Sequence, residues 1–168
     1  MIYKWLYKTP EGFDDILMNS DSEYLTGLWF VGSKDSNKNT VDCIEKNLPI
    51  FEETTRWLDI YFSGKNPDFT PKYKIKNLTP FRMQVTDIMN DIPYGKTICY
   101  RDIAKKIAEK RNIKKMSSQA VGNAVGSNCI CIIIPCHRVI GVNNKMVGYG
   151  GGIKNKIALL NHEKNSSR

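Results

Sequence analysis

The sequence has no apolar run long enough to cross a bilayer, and its N-terminus has no continuous apolar core of the signal-peptide type. Residues 1–8 instead alternate apolar and polar side chains, which predicts a strand of the mature protein. These two absences argue against a membrane-spanning or secreted protein. We therefore expect a cytoplasmic location, or association with the nucleoid if the source is a prokaryote.

Acidic residues are too few to balance the basic ones. The 168 residues include 25 Lys and Arg against 17 Asp and Glu, a formal net charge of +8. This charge fits a polyanionic partner, although a merely lysine-rich surface would produce it as well. Five cysteines make a poor disulfide framework, because their number is odd and three of them, Cys129, Cys131 and Cys136, crowd into one apolar segment. That pattern suits a reducing compartment.

The composition is that of a globular protein, with 41% hydrophobic and 25% charged residues, so we expect one domain or two small ones. In the first half, residue type and spacing predict strands followed by a helix. The predicted segments are strands over 2–8, 13–19 and 24–32, an exposed loop over 32–40, a helix over 49–62 and a connection over 64–78.

The second half opens with strong helix signals. Thr79 is a plausible N-cap, Pro80 fits the first helical position, and the breaker P-Y-G-K at 93–96 ends that helix. A second helix is predicted from Tyr100, and Ser117 or Ser118 caps a third whose residues are unusually small. This pattern predicts either a DNA-binding helix-turn-helix or close packing of two helices inside the protein, and it does not decide between them.

The segment from 129 to 140, C-I-C-I-I-I-P-C-H-R-V-I, is a continuous apolar run that predicts a buried strand ending at Pro135. A V-N-N-K turn, a short M-V-G-Y strand, three glycines at 150–152 and a final helix are predicted after it. Within the run, Pro135 fixes the backbone before Cys136, and the neighbouring His137 and Arg138 favour a thiolate. Cys136 is thus either an attacking nucleophile or a small buried hydrophobe.

A zinc site on the same cysteines is the other interpretation of this segment. The spacing argues against it, because the segment has no C-x-x-C pair and cysteines two apart on a strand share a face without chelating tightly.

Together these motifs resemble the O6-alkylguanine-DNA alkyltransferases, also called methylated-DNA–protein-cysteine methyltransferases. The resemblance is carried by I-P-C-H-R-V-I-G, V-G-Y-G-G-G and K-x-x-L-L-x-H-E, with T-P-F-R-M-Q-V and I-P-Y-G-K-T-I-C-Y-R-D-I-A upstream. It is strong from about 79 to 163 and weaker before that, where R-W-L-D-I-Y-F-S-G-K resembles the helix that closes the family's N-terminal domain.

The resemblance implies an α/β protein of two domains. Residues 1–78 would form a ribonuclease-H-like α/β domain with a linker, and residues 79–168 a winged helix-turn-helix domain that binds DNA and accepts the alkyl group. It also implies a monomer without cofactor or metal that binds the minor groove of double-stranded DNA containing O6-alkylguanine. The alkyl group would pass from the guanine oxygen to the protein once, irreversibly.

By resemblance, four residues have roles in the transfer. Cys136 is the acceptor, and His137 removes the thiol proton through a water molecule. Glu163 orients His137, and Asn128 is a hinge between the recognition helix and the reactive segment.

The same resemblance assigns residues to the target base, which must be extruded from the duplex before its oxygen can react. Tyr100 would crowd the target phosphate and donate a hydrogen bond to the base, and Val139 and Tyr149 would build the guanine pocket. Ala120 and Gly122 would let the recognition helix approach the minor groove closely.

The sequence departs from the family pattern at several positions. Gln119 stands where many members place the arginine that fills the gap left by the extruded base, and Arg101 or the lysines at 110–115 are hypothesised to compensate. Gly150 stands where a serine often lies near the leaving oxygen. At this position only a backbone N–H would be present to contact that oxygen. Some relatives carry zinc in the N-terminal domain, but that half of this chain has no histidine and only Cys43, so we expect none.

Three other functions were weighed against the transfer. A non-catalytic sensor of alkylation damage would lack the acceptor cysteine, which is present here. A DNA-binding regulator would leave the P-C-H-R motif and Glu163 unexplained. A thiol hydrolase would need an oxyanion hole, for which the sequence has no separate signal. Transfer to Cys136 is therefore the prediction.

Overall fold

The computed structural model describes residues 1–146 and 149–166, which form a mixed α/β fold. The strands are β1 (Tyr3–Tyr7), β2 (Ile16–Ser20), β3 (Leu25–Phe30), β4 (Ile44–Glu45), β5 (Ile98–Cys99) and β6 (Val139–Ile140). The helices are α1 (Lys34–Asn39), α2 (Pro49–Phe62), α3 (Pro80–Asn90), α4 (Tyr100–Arg111), α5 (Ser118–Gly126) and α6 (Ile153–Ser166).

The first half forms a four-stranded sheet in the order β3-β2-β1-β4. The first three strands pair antiparallel, whereas β4 runs parallel to β1. Helix α2 buries Phe51, Leu58 and Tyr61, which lie on one helical face. The three predicted strands and the helix from Pro49 to Phe62 are therefore confirmed. They could be predicted because residue type and spacing are local signals.

The helices of the second half begin where their capping residues predict. The Thr79 hydroxyl accepts from the Arg82 N–H at 3.2 Å, with Pro80 in the first turn of α3. The Ser117 hydroxyl accepts from the Ala120 N–H at 3.2 Å, which starts α5. Helices α3, α4 and α5 pack against one another, so the small residues of α5 serve packing on one side.

The polar stretch 32–40 is not a loop throughout, and that prediction was wrong. Ser33 caps α1 by accepting from the Ser36 N–H at 3.2 Å, and Ser36 is buried although it is polar. A short helix with so little apolar surface has no periodicity from which it can be predicted.

The predicted strand ending at Pro135 was also wrong. Its residues make one isolated bridge, between Leu28 and Ile130, and the chain then turns at Ile132, whose φ is 69°. A continuous apolar run is equally compatible with a buried turn, because periodicity does not distinguish the two. Val142–Asn144 form the expected turn, and the predicted M-V-G-Y strand falls partly on 147–148, outside the described residues.

The two halves share one core. Backbone hydrogen bonds join Leu28 of β3 to Cys129 and Cys131, and the Asn155 side chain of α6 bonds Asp14. Within the described ranges no helix has both the length and the apolar character needed to cross a membrane.

Candidate active site

Cys136 opens a short 3-10 turn, Cys136–Arg138, directly after Pro135. The residue is only 5% exposed and lines a narrow cavity of about 20 Å³, enough for one water molecule. Three other residues expected at the site, Asn128, Tyr149 and Gly150, line the same cavity.

The pKa of Cys136 is lowered from its ordinary value, which favours the thiolate. The largest cause is the neighbouring thiol of Cys131, and its effect outweighs burial, which acts in the opposite direction. The Asn128 side chain and the charge of Lys156 lower the pKa further. The cysteine is therefore the most strongly activated thiol of the segment.

Asn128 ties the end of α5 to the turn that precedes the cysteine. Its Nδ2 donates to the Ile134 carbonyl at 3.0 Å, and its Oδ1 accepts from the Ile130 N–H at 3.0 Å. Because both partners belong to the 130–134 turn, the Asn128 side chain links the end of α5 to the backbone that leads into Cys136.

His137, Arg138 and Glu163 form a buried polar cluster behind the cysteine. Glu163 Oε2 lies 2.5 Å from His137 Nε2, and Oε1 accepts from Arg138 Nε at 2.8 Å. Burial lowers the pKa of His137, whereas Glu163 opposes that shift, so the imidazole is neutral with its Nε2–H toward Glu163. Nδ1 of His137 is buried and has no hydrogen-bond partner among the described residues, which leaves a lone pair to accept a proton.

The same carboxylate receives two donors from elsewhere in the chain. The Tyr61 hydroxyl of α2 donates to it at 2.6 Å, and the Gly95 N–H donates at 3.0 Å. Burial alone would raise the pKa of Glu163, but the hydrogen bonds and charges of His137 and Arg138 hold it well below its ordinary value. Glu163 is therefore an ionised carboxylate that fixes the ring of His137.

Lys156 was given no role by the sequence, although it lies in the K-x-x-L-L-x-H-E motif. Its side chain is fully buried, and Nζ donates to the Val139 carbonyl at 2.7 Å. The ammonium lies 5.9 Å from the ring centroids of Tyr100 and Tyr149. The signal that was available is its spacing of seven residues from Glu163, which puts both charges on one face of α6.

The first half supplies part of the cavity wall, which the sequence did not indicate. Trp29, Phe30 and Asp35 line it together with the cysteine. A Cβ on Gly151 would lie 2.8 Å from the Phe30 ring and 2.7 Å from the Tyr149 ring, so only glycine fits at that point.

The remaining expected residues lie on α4, α5 and β6 outside the cavity. Arg101 and Gln119 are exposed, and Ala120 is half-buried. Gly122 faces Tyr100, since a Cβ on it would lie 3.9 Å from that ring. Val139 is fully buried, and its carbonyl accepts from Lys156 Nζ. Among residues 1–146 and 149–166, no His, Cys, Asp and Glu group of three or more is arranged to hold a metal ion.

Comparison with known proteins gives a consistent answer. Residues 80–165 match the family model described as 6-O-methylguanine DNA methyltransferase, DNA binding domain. The chain is 36% identical to the methylated-DNA–protein-cysteine methyltransferase of Methanosarcina acetivorans, over 96% of this chain and 98% of that protein. The corresponding protein of Methanosarcina barkeri is 38% identical over 99% and 100%.

Among solved structures, the fold matches the Mycobacterium tuberculosis OGT in complex with DNA. The TM-score is 0.82 and the identity 30%, with 98% of this chain and 94% of that chain covered. The similarity thus extends over both halves of the molecule and is not confined to the DNA-binding half. The chain belongs to the methylated-DNA–protein-cysteine methyltransferase family.

Proposed function

We propose that this protein repairs DNA by transferring the alkyl group of O6-alkylguanine to the sulfur of Cys136, in one irreversible step. The observation that carries the proposal is the state of Cys136, a buried thiol with a lowered pKa that lines a cavity together with Asn128, Tyr149 and Gly150. An alkyl acceptor needs such a thiolate, since the thiolate and not the thiol is the nucleophile.

In the proposed step the Cys136 thiolate attacks the alkyl carbon. A sulfur–carbon bond forms while the carbon–oxygen bond breaks, and its electron pair returns to the guanine, which takes up a proton. The thiol proton passes through water to Nδ1 of His137, and the Glu163 carboxylate stabilises the resulting imidazolium. The thioether that remains is stable, so each molecule acts once and needs no cofactor.

The DNA surface in this proposal is the α4–α5 pair. Helix α5 carries small residues outside its buried face, including the half-buried Ala120 and Gly122, that would let its backbone approach a minor groove. Tyr100 at the start of α4 stands between α5 and the buried Lys156 and would contact the extruded base or its phosphate. Gln119 would fill the gap in the duplex, assisted by the exposed Arg101.

We further propose that residues 1–78 are a ribonuclease-H-like domain with its linker and residues 79–168 a winged helix-turn-helix domain, and that the protein acts as a monomer. The four-stranded sheet with α2 supports the first assignment, and the capped helices α3 to α5 support the second.

The test is intact-protein mass spectrometry after the protein is mixed with a short duplex that holds one O6-methylguanine. We expect the mass of one methylene group to be added on the peptide with Cys136, saturating at one per molecule. Cys136→Ser is the matched control and is expected to bind the duplex without gaining mass. Tight binding of the native protein with no added mass would instead indicate a non-catalytic damage sensor.

A further inference from the structure

A second thiol lies in the acceptor cavity, and it is not the alkyl acceptor. Cys131 is 6% exposed and lines the cavity together with Cys136 and Tyr149. The two thiols are close enough to shift each other's pKa in opposite directions. The two cysteines therefore border the same small cavity, away from bulk solvent.

The backbone between them explains this approach. The Ile133 N–H donates to the Cys131 carbonyl at 2.8 Å and the Ile134 N–H donates to the Ile130 carbonyl at 3.1 Å, which closes a tight turn around Ile132. Ile132 has a φ of 69°, a conformation that a β-branched residue adopts only under strain. The turn brings Cys131 back toward Cys136, whereas Cys129, two residues earlier, lines a neighbouring groove.

The two thiols differ in protonation. The contact with Cys136 and burial raise the pKa of Cys131, whereas the contact with Cys131 lowers the pKa of Cys136. Of the two thiols, Cys136 is accordingly the one that loses its proton more readily. A thiolate with a second thiol in contact is the arrangement in which oxidation yields a disulfide rather than higher oxides of one sulfur.

We propose that Cys131 and Cys136 are a redox pair, which a hydroperoxide converts to an intramolecular disulfide that reversibly removes the acceptor sulfur. The inference rests on the proposed function only in its consequence for activity, because formation of the disulfide does not depend on DNA.

The chemistry balances in two steps. The Cys136 thiolate attacks one peroxide oxygen and the O–O bond breaks. Hydroxide is released, and Cys136 becomes a sulfenic acid. The Cys131 sulfur then attacks the Cys136 sulfur, the S–S bond forms, and the S–O bond breaks. Two thiols have lost two electrons, and hydrogen peroxide has been reduced to two molecules of water.

The consequence is protection of a protein that acts only once. A Cys136 held as disulfide is not a nucleophile, but a dithiol reductant restores both thiols. Without Cys131, the sulfenic acid has no partner in the cavity and proceeds to sulfinic acid, which thiols do not reduce.

The experiment compares native protein with Cys131→Ser and the matched control Cys129→Ser. Each protein is treated with hydrogen peroxide and divided into two samples. One sample is reduced with dithiothreitol, and alkyl transfer is then measured in both. Masses are read on the peptide from 116 to 138, which tryptic cleavage after Lys115 and Arg138 releases with all three cysteines.

We expect native protein and Cys129→Ser to lose the mass of two hydrogens and to lose alkyl-transfer activity. Reduction should restore nearly all of that activity. Cys131→Ser should instead gain oxygen on Cys136 and stay inactive after reduction. Equal oxygen gain and equal irreversibility in native protein and Cys131→Ser would overturn the proposal, as would a disulfide that persists in Cys131→Ser. If Cys131→Ser does not fold, Cys131→Val replaces it with an apolar side chain of similar size.

The mass readout separates this inference from the proposed function. A disulfide in a native protein that never accepts an alkyl group would refute the transfer and support the redox pair. Normal alkyl transfer with only oxygen adducts after peroxide would refute the redox pair and support the transfer.

Discussion

At the scale of single residues, Glu163 is the centre of the buried polar network. Its two oxygens accept hydrogen bonds from Tyr61, Gly95 and Arg138 and contact His137 Nε2. A buried carboxylate is tolerated only when its lone pairs are satisfied in this way, because loss of hydration is otherwise too costly. The same contacts hold the ring of His137 with Nδ1 free to accept a proton.

Replacing the Glu163 carboxylate by an amide tests how much the carboxylate contributes to the stability of the fold. In Glu163→Gln the Arg138 guanidinium remains buried without a counter-charge, and we expect the free energy of unfolding to fall by about 3–5 kcal/mol. Transfer should slow as well, because His137 loses the group that stabilises its charged form. Urea denaturation and single-turnover kinetics measure the two effects. The control Glu109→Gln, on the exposed side of α4, should change neither; an equal loss in both variants would contradict the assignment.

The pH dependence of stability follows from the lowered pKa of Glu163. Its ordinary value is 4.5 and its folded value is lower, so below about pH 4.5 the unfolded chain takes up a proton that the folded protein does not. The stabilisation is complete above that pH and is lost as the pH falls further, at up to about 1.4 kcal/mol per pH unit. Denaturation curves between pH 6 and pH 3 measure this slope. Glu163→Gln should show a shallower slope, and an unchanged one would refute the attribution.

At the scale of elements, α5 is the helix whose sequence departs most from what the proposed function would favour. Its start is well specified by the Ser117 cap, and its packing against α3 and α4 is ordinary. In the proposed complex its exposed residue Gln119 would hydrogen-bond in the gap left by the extruded base, but it lacks the charge and the reach of arginine.

Gln119→Arg is therefore expected to speed transfer from duplex DNA. If the longer, charged side chain stabilises the extruded state by about 1 kcal/mol, the single-turnover rate rises about fivefold. Transfer from an O6-methylguanine in single-stranded DNA should not change, because no gap needs filling there. Asn123→Arg adds the same charge one turn later on α5 and serves as the control. Equal acceleration by both variants would mean that charge alone is responsible.

At the scale of the whole molecule, the two halves depend on each other. The Tyr61 hydroxyl from α2 completes the cluster at Glu163, and Phe30 from β3 packs against Gly151 at the cavity. Interactions that cross between halves make unfolding cooperative, so we expect one transition and not two.

The distribution of chromophores allows the single unfolding transition to be tested. All three tryptophans lie in the first half, whereas most helical residues lie in the second, so tryptophan fluorescence and far-UV circular dichroism report on different halves. We expect coincident urea transitions, both shifted by Tyr61→Phe, which removes a donor to a buried carboxylate and costs about 1.5–3 kcal/mol. Tyr24→Phe is the control from the same half. Separate transitions, or a shift seen by fluorescence alone, would show that the halves unfold independently.

Much of the architecture was determined by the sequence itself, since the signals concerned are local. Pro49, the Thr79-Pro80 pair and Ser117 begin helices because a fixed φ or a side-chain oxygen satisfies the first turn wherever the helix is placed. Aromatic and β-branched residues between turn signals likewise predicted the first three strands. The P-C-H-R motif and Glu163 were identified as parts of one site by resemblance, and the distance between His137 and Glu163 agrees with that grouping.

Tertiary structure alone decided the environment of the reactive sulfur. The apolar run from 129 became a turn instead of a strand because Leu28 pairs with only part of it, and that turn brings Cys131 against Cys136. The burial of Lys156 and the wall supplied by Trp29 and Asp35 are likewise contacts between residues far apart in sequence. Local patterns report how a segment buries its own apolar face, and they carry no information on which distant charge or thiol packs against it.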